Sequence, residues 1–342
     1  MAWPRINPTM IALVLATGAC NDAPLSQNIT PPELSPSATA ATSTESAAGA
    51  SIAGTSVGGF TTNEALRPKN ALRLPTRLAL GPSGHVYVTD AAVGSVFILD
   101  SKTLTPIAEL KSVGRPLGVA VDSKGTIFVG CAKAKAVLRY DVHGNKTGVI
   151  GAGSLSMPND IALDRRGVLY VADSSAHRVR AFWPSGRALF TIGEKKNELR
   201  FPAAVDIHYE GKARDARGEL YIADQGQSKI RVYDLSGKAL RAFGARLEQL
   251  SPLWRGRFGK LQSVVVDALG RVHAADTHTN RMQILDGKTG AFIDAYGTFG
   301  RGKGKVFLPL DLLIATDGRV LVANAENKRV DAHYTVPQGG RR

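Results

Sequence analysis

The chain has 342 residues, 44% of them hydrophobic, which is enough for a sizeable core and excludes a wholly disordered protein. Lys and Arg number 43 against 29 Asp and Glu, a net charge of +14. Residues 1–60 hold only Arg5, Asp22, Glu33 and Glu45, so the basic excess lies in residues 61–342 and favours anionic partners there. Residues Met1 to Ala19 carry a short Arg5-containing head, an apolar run from Met10 to Ala16 and the small residues Thr17, Gly18 and Ala19. That run is too short to span a bilayer, so residues 1–19 read as an export signal.

Cys20 follows directly, in a position that resembles the lipobox of bacterial lipoproteins, although Thr17 stands where Leu is usual. The resemblance implies lipid attachment at Cys20. Asn21 in place of the retention aspartate favours the outer membrane, or else the periplasm or cell surface. Ordinary cleaved secretion and a buried N-terminal helix are the alternatives. With Cys20 acylated, Cys131 is the only remaining thiol, and no intrachain disulfide can staple the fold. Residues 20–60 are rich in Ser, Thr, Ala, Pro and Gly, with too few large apolar side chains to offset the entropy of ordering; they read as a flexible, lipid-anchored tether.

From residue 61 onward the chain reads as one repeating domain. The motif Gly-x-apolar-x-apolar-x-Asp begins at Gly84, Gly167, Gly218 and Gly270, with variants at Gly125 and Gly318 that end in Cys131 and Asn324; the six copies are spaced by 41, 42, 51, 52 and 48 residues. An alternating run precedes each copy, usually after proline (Pro75, Pro116, Pro158, Pro202, Pro309), and another follows six residues after the Asp slot. A fourth run precedes most of the next repeats. Four short strands per unit predict an all-β, six-bladed β-propeller of four-stranded antiparallel blades. Tyr170-VADSSAHRV, Tyr221-IADQGQSKI and Tyr296-GTFGRGKGKVFLP resemble NHL repeats over about residues 75–334. That family spans scaffolds, RNA binders, sensor domains and lyases, so the resemblance fixes the fold better than the activity. The sixth unit ends near Tyr334 without an outer strand, and some stretch of residues 57–74 is expected to cover that edge.

Five Asp slots hold Asp90, Asp173, Asp224, Asp276 and Asn324. Four of them have a base five residues later (Arg178, Lys229, Arg281, Arg329), while the Cys131 unit has Ala136. Joint loss of acid and base predicts structural pairing or shared turn capping rather than chemistry. Cys131 reads as a small, partly buried thiol. The stretch from Gly297 lacks the P-loop pattern and reads as an inter-blade loop, and the seven histidines show no metal-ligand spacing.

Aligning the units places Arg77, Gly118, Asp160, Ala204, Ser263 and Asp311 at equivalent channel-mouth positions, with Asp160 and Asp311 opposed across the ring. With Asn159 and Arg77 they form the candidate site. Two opposed carboxylates can hold a divalent cation or a cationic group, and Pro158-Asn159-Asp160 resembles a calcium-ligand segment of gluconolactonase-like propellers. The other ligands of that family, and the three histidines of the amidating lyases, are not matched, so no resident cofactor is expected beyond a possible calcium at the mouth. Three loops on the same face are basic: Lys195, Lys196 and Arg200; Arg246, Arg255, Arg257 and Lys260, with Trp254 and Phe258; and Arg301, Lys303 and Lys305. Bases interleaved with aromatics suit an anionic polymer. The sequence therefore reads as a non-catalytic binding scaffold outside the cytoplasm, tethered to a membrane by its N-terminal lipid, for a protein complex, an anionic polymer or headgroups. Export argues against nucleic acid. The alternative is a metal-dependent lyase or lactonase acting at the mouth.

Overall fold

A computed structural model describes residues 56–57, 60–62, 72–211, 217–248 and 254–335. The expected signal segment and Cys20 lie outside the described residues. The fold is a six-bladed β-propeller. Blade 1 contains Pro75–Leu80, Val86–Asp90, Ser95–Leu99 and Pro106–Leu110, and blade 2 contains Pro116–Val121, Ile127–Cys131, Ala136–Tyr140 and Lys146–Ile150. Blade 3 runs through Pro158–Leu163, Leu169–Asp173, Arg178–Phe182 and Ala188–Ile192, and blade 4 through Pro202–Tyr209, Gly218–Asp224, Lys229–Asp234 and Ala239–Phe243. Blade 5 is Leu261–Val266, Arg271–Asp276, Arg281–Asp286 and Phe292–Tyr296; blade 6 is Pro309–Ile314, Arg319–Asn324 and Arg329–Thr335. Every blade is a continuous stretch of chain, and the inner strand of blade 6 packs on that of blade 1 to close the ring.

The alternation seen in the sequence buries apolar side chains on both faces of each sheet, as a blade flanked by two neighbours requires. Six apolar clusters result, one at each junction between blades. Each cluster receives one side chain from the loop that enters the next blade: Leu72, Val113, Leu155, Leu199, Phe258 and Val306, each three residues before an inner strand and each buried. Phe258 is thus an inter-blade anchor, which corrects its placement among the surface aromatics of the rim.

The edge expectation also changes. Ser56–Val57 and Phe60–Thr62 form strands, and the second pairs antiparallel with Pro106–Leu110, giving blade 1 six strands. The outer strand of blade 1 offers the same row of open N–H and C=O groups as any edge, and it takes these strands. Among the described residues blade 6 has three strands. The sheet begins at Ser56, inside the stretch that composition assigns to the tether.

Candidate functional site

The inner-strand starts pair with the ends of the second strands, as in Pro158 with Asp173 and Pro309 with Asn324. The blade-entry loops and the turns after the Asp slots therefore share one face, called the top. Each Asp slot pins its own entry loop. Asp90 accepts from Arg73 N and Leu74 N, Asp173 from Ser156 N and Met157 N, Asp276 from Gly259 N and Lys260 N, and Asn324 Oδ1 from Phe307 N. The turn-capping expectation holds. Pairing with the base five residues on occurs at Asp173 and Arg178 (3.1 Å), whereas Asp224 takes Arg231 (2.7 Å) and Arg329 turns to Asp331 (2.6 Å). Position +4 from the slot has positive φ in all six units: Gly94, Lys135, His177, Ser228, Asn280 and Lys328. His177 is therefore a turn residue, and its Nδ1 accepts Phe201 N at 3.0 Å. Cys131, fully buried in the blade 1–2 core, donates to Val113 O at 3.3 Å.

The sequence places Arg77, Asn159, Asp160 and Asp311 at the mouth, and the structure brings all four together in a way spacing alone did not indicate. Arg77 is fully buried and its guanidinium fills the centre of the ring. It donates to Asn159 O (3.1 Å), Leu310 O (2.7 Å), Gln262 O (3.3 Å) and Ala203 O, so blade 1 is tied to blades 3, 4, 5 and 6. It lies between the two opposed acids, 3.1 Å from Asp311 and 3.8 Å from Asp160. Asp160 also accepts Ile161 N and Val205 N, both at 2.9 Å. Asp311 accepts Leu78 N at 2.8 Å and Ser263 Oγ at 2.6 Å, and Asn159 Nδ2 donates to Ala203 O. Asp206, which the alignment did not single out, repeats the device by accepting Val266 N at 2.8 Å.

The residues do not fit a calcium ion. Ca²⁺ takes six to eight oxygens, and both oxygens of each mouth acid already accept backbone, hydroxyl or guanidinium donors. A resident +1 charge occupies the space between them. Among the described residues no group of three or more His, Cys, Asp or Glu converges on a point. Below the arginine the channel is a cavity of about 250 Å³ with aliphatic walls and Asp160, Asp206 and Asp311 in its lining.

Burial raises the carboxyl of Asp160 to about 7, with Asp311 adding to the rise against Arg77, and burial raises Asp206 to about 6. Unfolded carboxyls release their protons near pH 3.9. At these two acids the folded state therefore binds more protons than the unfolded chain between about pH 4 and 7, and the stability they contribute is fully present below that window and declines as pH rises through it. A melting temperature higher at pH 5 than at pH 8 by on the order of 10 °C is expected in differential scanning calorimetry. A flat profile would mean that these acids are ionised in both states.

On the rim, Lys195, Lys196, Arg200, Arg255, Arg301, Lys303 and Lys305 are exposed, while Arg257 and Lys260 are half-buried. Burial lowers the Lys260 ammonium below the usual lysine range. Trp254 is half-buried, with Arg281 4.3 Å over its ring and Phe292 edge-on at 5.3 Å; Arg255 covers Phe292 at 5.3 Å. Arg301 lies 4.9 Å over Phe307 and 3.7 Å from Glu326. Arg281, absent from the sequence reading of the rim, joins it through Trp254.

The NHL repeat family pattern matches residues 155–182, the whole of blade 3 up to its third strand. The fold is an NHL-like six-bladed propeller. The propeller is 27% identical over 138 residues to the protein brain tumor of Drosophila melanogaster, and 27% over 218 residues to an adipocyte plasma membrane-associated protein of Salmo salar. These alignments cover 39% and 53% of this chain, and 12% and 50% of the relatives' own lengths. A gluconolactonase structure from Xanthomonas campestris superposes with a TM-score of 0.60 at 17% identity, over 79% of this chain and 87% of that one, a likeness of fold.

Proposed function

We propose that this propeller is a non-catalytic binding scaffold whose basic top face receives an anionic partner, either an acidic protein assembly or an anionic polymer or headgroup surface. In this reading it works outside the cytoplasm, held at a membrane by a lipid on Cys20. The observation that carries it is the clustering of eight exposed Lys and Arg side chains, Arg246 among them, on three consecutive entry loops of one face. The slot acids beneath that face, Asp90, Asp173, Asp224 and Asp276, are fully buried, and the exposed acids of the same loops are Glu194 and Glu248, so bases outnumber acids at the surface there. Such a field attracts anions over roughly a Debye length, about 8 Å at physiological salt.

The alternative, a metal-dependent lactonase or lyase at the mouth, is favoured by the structural likeness to a gluconolactonase. The buried Arg77 argues against it, because it stands where a substrate and its metal would enter from the top. A combined Lys195→Ser, Lys196→Ser, Arg255→Ser and Lys303→Ser variant tests the scaffold reading. It is expected to bind heparin and anionic vesicles at least about tenfold more weakly, with a shallower salt dependence. A variant carrying Lys102→Ser and Lys238→Ser on the opposite face serves as control. Unchanged retention of the rim variant would count against the proposal.

A further inference from the structure

The face opposite the basic rim carries a cleft of about 860 Å³ between blades 2 and 3, closed at one side by Tyr209 of blade 4. That volume lies within the roughly 300–1,000 Å³ of small-molecule sites, and it exceeds the 250 Å³ channel cavity. Its apolar surface comes from Val121, Phe128, Leu163 and Pro184. Two propeller sheets diverge as they leave the axis, and elsewhere bulky side chains fill the wedge. Gly167, the repeat's turn glycine (φ +81°), lies in the lining and adds no side chain to it.

Four cations line the cleft: Lys124, Arg139, Arg165 and Arg166. Arg165 is held in place, its guanidinium 3.9 Å over the Tyr209 ring, its backbone N–H donating to Tyr209 Oη at 2.9 Å and its Nη2 to Gly211 O at 3.2 Å. Arg139 braces the wall through Thr147 Oγ1 and O and Pro184 O. Three acids are present too, and each is turned into its own turn. Asp122 accepts Lys124 N and Thr126 N, Asp141 accepts His143 N, Asn145 N and Asn145 Nδ2, and Asp164 accepts Arg166 N, Nε and Nη2 and Val168 N. Arg166 is paired with Asp164, Asp141 and Asp122 are held by their turns with Asp122 Oδ2 left over, and the exposed Lys124 belongs to the same lining, so cations outnumber carboxylates by one. An anionic headgroup is therefore matched by donors, and an apolar body by the walls.

We infer that this cleft is a second binding site, for a small organic carboxylate with an apolar body, distinct from the surface that meets the anionic partner. Isothermal titration of the full chain with sodium octanoate tests it. One saturable site with a Kd below about 1 mM is expected. Lys124→Ala and Arg165→Ala are each expected to weaken it at least fivefold at unchanged melting temperature. Thr126→Trp, which fills the cleft, is expected to abolish it. The rim variant described above is expected to bind octanoate as the unaltered protein does, which separates this site from the top face. Absence of saturable binding up to 10 mM octanoate, or binding that Lys124→Ala and Arg165→Ala leave unaltered, would overturn the assignment.

Discussion

Replacing Arg77 by alanine is expected to destabilise the propeller by about 3–5 kcal/mol, the usual cost of removing one partner from a buried ion pair. The loss has two parts. Asp160 and Asp311, both buried, lose the only cation between them. Four carbonyls on four different blades lose their shared donor. Arg77→Lys is expected to recover little, since an ammonium on a single stem cannot present the planar fork that reaches several carbonyls at once. A triple variant, Arg77→Met with Asp160→Asn and Asp311→Asn, is expected to regain much of the stability because no buried charge is left alone. Urea unfolding monitored by circular dichroism measures all three. If Arg77→Ala unfolds at the same urea concentration as the unaltered chain, the guanidinium is not holding the ring.

The second large effect is expected in blade 2, where the mouth position is Gly118 and the second strand passes it at Gly130, inside the register shift between Pro116 and Val119. Blades 3, 5 and 6 join their neighbours there through side chains: Asp160 to Val205 N, Ser263 Oγ to Leu312 N and Asp311 to Leu78 N. Blade 2 instead lets blade 3 approach backbone to backbone. A Cβ on Gly118 would stand 2.7 Å from Asp160 Cα, and one on Gly130 would stand 2.2 Å from Pro158 O. Backbone cannot rotate away as a side chain can, so Gly130→Ala is expected to cost about 3 kcal/mol, the upper end of the overpacking range. Neither glycine has positive φ, so the penalty comes from contact and not from backbone strain. Gly302→Ala is the matched control: its Cβ meets only Lys305 Cγ at 3.9 Å, and its melting temperature is expected to stay within about 1 °C of the unaltered chain. Equal melting temperatures for Gly130→Ala and Gly302→Ala would contradict the close approach.

The blades were readable because each is local. Alternation, the Gly-to-Asp motif and the proline before each inner strand all lie within one repeat, so the strand set follows from period two and turn chemistry. The capping role of the Asp slot was readable for the same reason, since Asp173 reaches only 17 residues back to Ser156. The partners of the slot bases were not. Arg231 displaces Lys229 at Asp224, because the guanidinium two residues further along the strand also reaches the carboxylate and bonds Gln227 besides. The ring centre depended on contacts across 82 to 234 residues, and an alignment of mouth positions puts residues at one level without saying which side chain turns inward. One signal was present: Arg77 is the only long side chain among the six mouth positions, with Asp311 in one adjacent blade and Gly118 in the other. The anchor three residues before each inner strand was a second, regular in spacing from Leu72 to Val306, and it explains why Phe258 belongs to the core.

The edge of the ring departed from expectation for a physical reason as well. Backbone pairing at an edge is not sequence-specific, so counting strands shows that an edge exists without showing which segment covers it. Phe60, Thr61 and Thr62 pair with Leu110, Glu109 and Ala108 on blade 1.

In the proposed scaffold the mouth is filled by the protein's own cation and the basic surface would do the binding. Calcium titration followed by calorimetry and by the melting temperature, with chelator-treated protein as reference, tests this most directly. The expected result is no saturable heat up to 10 mM calcium and no shift in melting temperature beyond about 1 °C, because the oxygens of Asp160 and Asp311 are already engaged. Saturable calcium binding that stabilises the fold and disappears in Asp160→Asn or Asp311→Asn would contradict it and restore the metal-dependent enzyme.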